Sequence, residues 1–262
     1  MEDFICLMVK YYEEFFARRS FTFEEAVGMV GSRSGALSIL SEYVKKGYIA
    51  KVRRGLYVAM DFATKSPVLD RYEVASLLAE DAVVSYHSAF SYYGFANQVS
   101  YYMYVSTKQR FRPFDFEGYS YMKTYPTIEK GVVKRDRVVV TDLERTVLDC
   151  IDDFSMCLGF EEFTKCIDVL PGLSEDLIMD YLPEYGSGFM FQKAGFIFER
   201  FGEGLRLKKD LIDFCRDNIG SVRPLFPKCN GQRLELNSDW NLLVPKDLWR
   251  HTLKYDEDYY EL

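Results

Sequence analysis

Between Thr22 and Val58 the chain carries three stop-and-start signals in a fixed order, and that order restricts the folds open to it. Thr22 is followed three residues later by Glu25, the spacing of a capping box, and Gly31 closes the short run behind them. Ser32 can cap the next run, "SRSGALSILSEYVKKG", in which Leu37, Leu40 and Val44 form an apolar stripe and Gly47 suits a left-handed stop. "YIAKV", "RRG" and "LYVAM" then read as strand, tight turn and strand, with Gly55 free to take φ > 0. Upstream, Phe4, Leu7, Met8, Tyr11, Tyr12, Phe15 and Phe16 follow the three-and-four spacing of an amphipathic helix. Three helices and a hairpin are the order of a winged helix-turn-helix. Caps, stripe and hairpin all close within residues 1–63, which predicts a unit that folds by itself.

Charge gives that unit a direction. The whole chain is formally −7, yet Lys45, Lys46, Lys51, Arg53 and Arg54 fall within ten residues that hold no carboxylate. From residue 31 to 60, Arg33 joins these five cations and Glu42 is the one anion, a net of +5, which leaves −12 for the remaining 232 residues. A basic patch on an acidic body is an electrostatic footprint for nucleic acid. On the third helix Ser34, Ser38, Ser41 and Lys45 fall opposite the apolar stripe. Short hydroxyls with flanking cations suit a major groove, which predicts base-edge contacts from Arg33, Ser34 and Ser38. Phosphates are assigned to Lys45, Lys46, Lys51, Arg53 and Arg54. A winged helix used only to dock protein would leave the basic patch without a purpose.

"TKSPVLDR" breaks the periodicity at Pro67, so residues 64–69 are expected to link the first unit to a second, residues 70–262. There "RYEVASLLAE" reads as helix, "AVVS" as strand, and "SYHSAFSYYGF" as a helix capped by Ser85 and ended by Gly94. "SYYMYVST" and "RVVVTD" read as strands; "TDLERTVLDCID" is a helix with a Thr141–Glu144 capping box and an Arg145–Asp149 pair four residues apart. Helical patterns continue through "FEEFTKCIDVL", "SEDLIMDYL", "FMFQKAGFIFERFG" and "LRLKKDLIDFCRDNI", and strands and turns return in "RPLFPKCNGQRLELNSDWNLLVP". The expected class is α+β, a winged helix-turn-helix followed by a larger mixed α/β domain.

Enzyme chemistry finds little support in the residues. His87 and Ser88 stand without a G-x-S-x-G elbow or an activating acid. Asp142, Glu144, Asp149, Asp152 and Asp153 suggest a metal-dependent nuclease, but capping and pairing already occupy the first three. Gly31 and Ser32 resemble a nucleotidyltransferase pair, without the strand-borne Asp-x-Asp that would hold magnesium; Asp256 and Asp258 sit in a polar tail. Cys6, Cys150, Cys157, Cys166, Cys215 and Cys229 lack metal-ligand spacing, and His87 and His251 are the only histidines. No cofactor, no metal and no catalytic residue are expected. An acidic start and the lack of an apolar run near ~18 residues predict a cytoplasmic protein without a membrane partner.

"GYIAKVRRGLY", "VVSYHSAFSYYGF", "VTDLERTVLDCID" and "RPLFP" followed by "NSDWNLLVP" resemble, in order, segments of the AbiEi-type transcriptional regulators, the antitoxins of type IV toxin-antitoxin (abortive infection) systems. The resemblance implies an N-terminal winged helix that represses its own operon at inverted repeats in double-stranded DNA. It also implies a C-terminal domain that counteracts a nucleotidyltransferase toxin without a stable complex. Some members have a basic C-terminal domain, whereas the residues beyond Met60 here are acidic.

Overall fold

The computed structural model describes residues 11–227 and 233–249, and the chain is α+β. Phe4, Leu7 and Met8 of the expected first helix, together with Cys6, Cys229, His251, Asp256 and Asp258, lie outside the described residues. Residues 11–18 are helical (α1) and bury Phe15 completely. A short strand, β1 (Ser20–Thr22), leads into α2 (Phe23–Val30) and α3 (Arg33–Lys45); β2 (Ile49–Arg53) and β3 (Leu56–Ala59) close the segment as a hairpin. Three residues are too few to show strand alternation, so β1 is not legible in the sequence.

The caps fall where the spacing places them. Thr22 accepts from the Glu25 amide while the Glu25 carboxylate accepts from the Thr22 amide, and Ser32 accepts from Gly35. Gly31 ends α2 at φ 87° and Gly47 follows α3 at φ 72°, conformations that a Cβ would strain. The α3 stripe differs from expectation. Ala36, Leu40 and Tyr43 are buried, whereas Leu37 is 58% exposed and Val44 40%. Tyr43 supplies more area than Val44 and packs edge-on against Phe15 at 5.9 Å, so the helix turns toward the larger ring.

The three strands form one antiparallel sheet in the order β1-β3-β2, covered on both faces. Side chains alternate along a strand. Ile49 and Tyr57 therefore pack with Phe15, Phe21, Leu40 and Tyr43, while Val52, Leu56 and Val58 enter a different core with Leu69, Val74 and Leu78. All four residues of β3 are buried for this reason. Residues 64–69 are correspondingly tied down: the Val68 amide donates to Ala59 O, Arg19 Nη2 donates to Val68 O, Met60 bridges Pro67, and Leu69 is buried.

Beyond α4 (Arg71–Ser76) lies a mixed six-stranded sheet, ordered β6-β7-β5-β4-β9-β8. Its strands are β4 (Val83–Val84), β5 (Tyr102–Ser106), β6 (Phe114–Phe116), β7 (Tyr119–Thr124), β8 (Val132–Arg135) and β9 (Val138–Thr141). β5 and β7 run parallel, as do β4 and β9. β6, β7 and β8 are not expected from the sequence, since "FDF", "YSYMKT" and "VVKR" lack clean alternation. The helices are α5 (His87–Tyr93), α6 (Leu143–Asp152), α7 (Phe160–Asp168), α8 (Glu175–Tyr181), α9 (Gly188–Phe201) and α10 (Lys209–Arg216). A small sheet of β10 (Arg223–Pro224), β12 (Leu242–Pro245) and β11 (Leu234–Asn237) completes the described chain.

Two expected caps shift by one residue. Asp142, not Thr141, caps α6 and accepts from the Arg145 amide, because Thr141 is the last residue of β9. Tyr86, not Ser85, stands at the start of α5, at φ 54° and without a side-chain cap. Gly195 on α9 admits the indole of Trp240: an added Cβ would meet the ring at 1.9 Å. Among the described residues no helix is long and apolar enough to cross a membrane.

Candidate nucleic-acid interface

Burying Ala36, Leu40 and Tyr43 fixes the rotation of α3 about its axis. Ser34, Ser38, Ser41 and Lys45 then project to solvent, with exposed Leu37 and Val44 beside them. The hairpin bends alongside through a register shift between Lys51 and Arg53, and the turn Arg54-Gly55 reverses the chain with Gly55 at φ 82°. Between α3 and the hairpin opens a cleft of about 610 Å³, walled by Arg33 and Leu37 on one side and by Lys51 and Arg54 on the other. Glu24 of α2 also lines it.

The cations expected to meet DNA, the base-edge candidate Arg33 and the five phosphate ligands, fall into three classes. Lys45, Lys51 and Arg54 are exposed and make no ion pair among the described residues. Lys46 pairs with Glu42 at 2.7 Å, and Arg33 pairs with Glu24 at 2.9 Å while its guanidinium lies 5.0 Å from the Phe23 ring centre. Both pairs are solvent-exposed and worth at most ~1 kcal/mol, so a phosphate can compete for either cation. Arg53 departs from the sequence expectation. Its Nη2 donates to Leu78 O in the second region, its guanidinium lies 5.8 Å from the Phe111 ring centre, and burial holds its pKa below the ordinary arginine value. Regular alternation would put Lys51 and Arg53 on one face; the register shift between them breaks it, so Lys51 stays on the cleft wall while Arg53 turns to the second region.

Leu37, like Val44, belongs to the stripe expected in the core and is exposed instead. In the cleft it offers an apolar surface of the kind that meets a thymine methyl. The sequence offers a competing stripe, Ala36-Leu40-Tyr43, spaced four and three, and the packing of Tyr43 on Phe15 selects it.

The residues that suggested enzymes are engaged elsewhere. His87 Nε2 lies 3.1 Å from Glu162 Oε1, both buried, and Cys166 Sγ is 3.4 Å from the same oxygen. That oxygen also accepts the Asn97 and Gln98 amides, at 2.9 and 2.8 Å, while Oε2 accepts Asn97 Nδ2. Although His, Glu and Cys are grouped as metal ligands would be, the lone pairs of Oε1 are committed to N–H donors. The carboxylate serves as an anchor for the loop after α5. Burial raises the Glu162 pKa, but the bonds from Gln98, Asn97, His87 and Cys166 outweigh it and hold the group below its ordinary value.

The acidic group around α6 is similarly occupied. Asp149 takes Arg145 Nε at 2.8 Å and the Tyr185 hydroxyl at 2.7 Å, as the four-residue spacing anticipated for the Arg145 pair. Asp142 caps α6 and accepts from Tyr181, Asp153 caps the following 3-10 turn, and Asp152 lies 3.5 Å from the buried amine of Lys193. Glu144 accepts from the Ser174 amide.

No family model matches the chain, and no curated protein matches it. A solved fold does. The chain is similar to the crystal structure of the RV2827C protein from Mycobacterium tuberculosis, with a TM-score of 0.60 over 86% of each chain at 11% identity. At that identity the likeness is one of fold.

Proposed function

We propose that residues 1–63 are a winged helix-turn-helix that binds double-stranded DNA, with α3 as recognition helix and the β2–β3 hairpin as wing, and that the protein is a transcriptional repressor. The observation that carries this reading is the cleft between α3 and the hairpin, with exposed cations on both walls and small hydroxyls along the helix. Ser34, Ser38 and Arg33 address base edges with Leu37 beside them; Lys45, Lys46, Lys51 and Arg54 take phosphates. The protein-docking alternative accounts for the elements but not for two unpaired cations, Lys51 and Arg54, on one wall of the cleft and exposed Lys45 at the end of α3.

The AbiEi-type resemblance extends the reading. On it, the protein acts as an antitoxin of a type IV system, autoregulates at inverted repeats in its own promoter, and counteracts a nucleotidyltransferase toxin without catalysis of its own. The acidic second region repels phosphates and is assigned to neutralisation.

Fluorescence anisotropy of the full chain with its own upstream DNA tests the first claim. Neutralising three to five phosphates gives a log-log salt slope of about −3 to −4.5. Absence of binding at low salt overturns DNA recognition. Co-expression with the adjacent nucleotidyltransferase tests the second: a Lys51→Ala, Arg54→Ala double variant should lose repression yet still restore growth. Loss of rescue in that variant would place neutralisation in the DNA-binding unit.

A further inference from the structure

The three-stranded sheet carries α3 on one face and the second region on the other: Ile49 and Tyr57 pack with Leu40 and Tyr43, while Val52, Leu56 and Val58 share a core with Leu69, Val74 and Leu78. Phe111 packs against that second core. It lies in the loop of residues 107–113, between β5 and β6, with the Arg53 guanidinium 5.8 Å from its ring centre and the Phe114 ring 6.2 Å away. The loop is therefore held against the back of the wing. Phe111 is flanked by Arg110 and Arg112, both exposed and neither in an ion pair among the described residues. Successive Cα atoms are ~3.8 Å apart, so Arg54, next to Arg53, and the two arginines beside Phe111 gather around one contact.

Composition sets this loop apart from the acidic region around it. From Ala82 to Phe114 the chain holds no Asp or Glu, and its cations are Lys108, Arg110 and Arg112. Carboxylates meet the loop at its first two residues, where Asp81 accepts from the Thr107 hydroxyl and the Lys108 amide and Glu129 pairs with Lys108 Nζ. Lys108 is thereby balanced, and Arg110 and Arg112 are left free. We propose, on the reading of the α3–hairpin cleft as a DNA site, that this loop is a second DNA-contacting element in which Arg110 and Arg112 take phosphates flanking the bases read by α3. A duplex held by Lys51 and Arg54 continues past the wing, and on the side of the sheet away from α3 it meets the two arginines. Phosphate contacts there add affinity without sequence information. Two more neutralised phosphates steepen the log-log salt slope by about 1.8 beyond what α3 and the wing supply.

Anisotropy and hydroxyl-radical footprinting of the full chain on its own upstream DNA test this contact. An Arg110→Ala, Arg112→Ala double variant should flatten the salt slope by about 1.8 and lower affinity ~60-fold at 0.1 M salt. Its urea midpoint should stay in place, because both side chains are exposed. Its footprint should lose backbone protection on the flank beside the wing and keep it where α3 binds. An Arg110→Lys, Arg112→Lys double variant should retain the wild-type slope, since counterion release follows charge. If the wild type binds and the alanine variant keeps its slope and footprint, the loop contact is overturned and the cleft reading stands. A lysine variant that flattens the slope as the alanine variant does overturns the loop contact as well. A wild-type chain that binds no DNA at low salt overturns both readings together.

Discussion

Arg53 and Arg54 are neighbours in sequence and should part completely in function. Replacing Arg54 with Ala removes one exposed cation from the cleft wall. One phosphate fewer flattens the salt slope by about 0.9 and lowers affinity about eightfold at 0.1 M salt, with folding unchanged. Replacing Arg53 with Ala removes instead a charged hydrogen bond to Leu78 O and the contact with Phe111. A charge-assisted bond is worth ~1.5–3 kcal/mol and a part-exposed cation–π contact ~0.5 kcal/mol; water can replace some of the former, so the loss should be about 2 kcal/mol. With a denaturant slope of about 3 kcal/mol per molar, the urea midpoint falls by roughly 0.7 M. Anisotropy over a salt series and urea melts followed by circular dichroism read both quantities on the same two proteins. If Arg53→Ala flattens the salt slope as Arg54→Ala does and leaves the urea midpoint in place, the guanidinium faces DNA and the sorting of cations is wrong.

Other perturbations reach the scaffold. A fragment ending at residue 63 exposes Val52, Leu56 and Val58, so it should bind a hydrophobic dye and melt without a sharp transition; a cooperative melt would show that the hairpin does not need the second region. Gly195→Ala drives a Cβ into the Trp240 ring, and the indole, bonded to Glu199 at 2.7 Å, must move; stability should fall by about 3 kcal/mol or more with altered Trp fluorescence, and an unchanged urea midpoint would contradict the packing. Because Glu162 is held below its usual 4.5, its contribution is present above that value and lost as pH falls through the depressed folded pKa. Wild-type protein should therefore lose more stability between pH 5 and about 3 than Glu162→Gln does, and parallel pH profiles in urea melts would refute the assignment.

Local chemistry made much of this protein legible in its sequence. Thr22 with Glu25, Ser32, Gly31 and Gly55 act within a few residues of themselves, so their caps and turn need no tertiary information. Arg145 and Asp149 are likewise one helical turn apart. Pattern alone fails where two stripes compete. On α3 the choice between Leu37-Val44 and Ala36-Tyr43 depended on which ring could meet Phe15, a residue on another helix. Strands β6 to β8 were invisible because their partners, not their own alternation, make them strands. Charge composition located the basic segment but could not tell Arg53 from Arg54: the sheet's second face decided that, by closing on Leu78 and Phe111 of a region that begins after Pro67. Glu162, 65 residues from the Asn97 amide it anchors, had no local signal at all. A residue's identity fixes what it can bond, whereas burial against distant chain decides which of those bonds it makes.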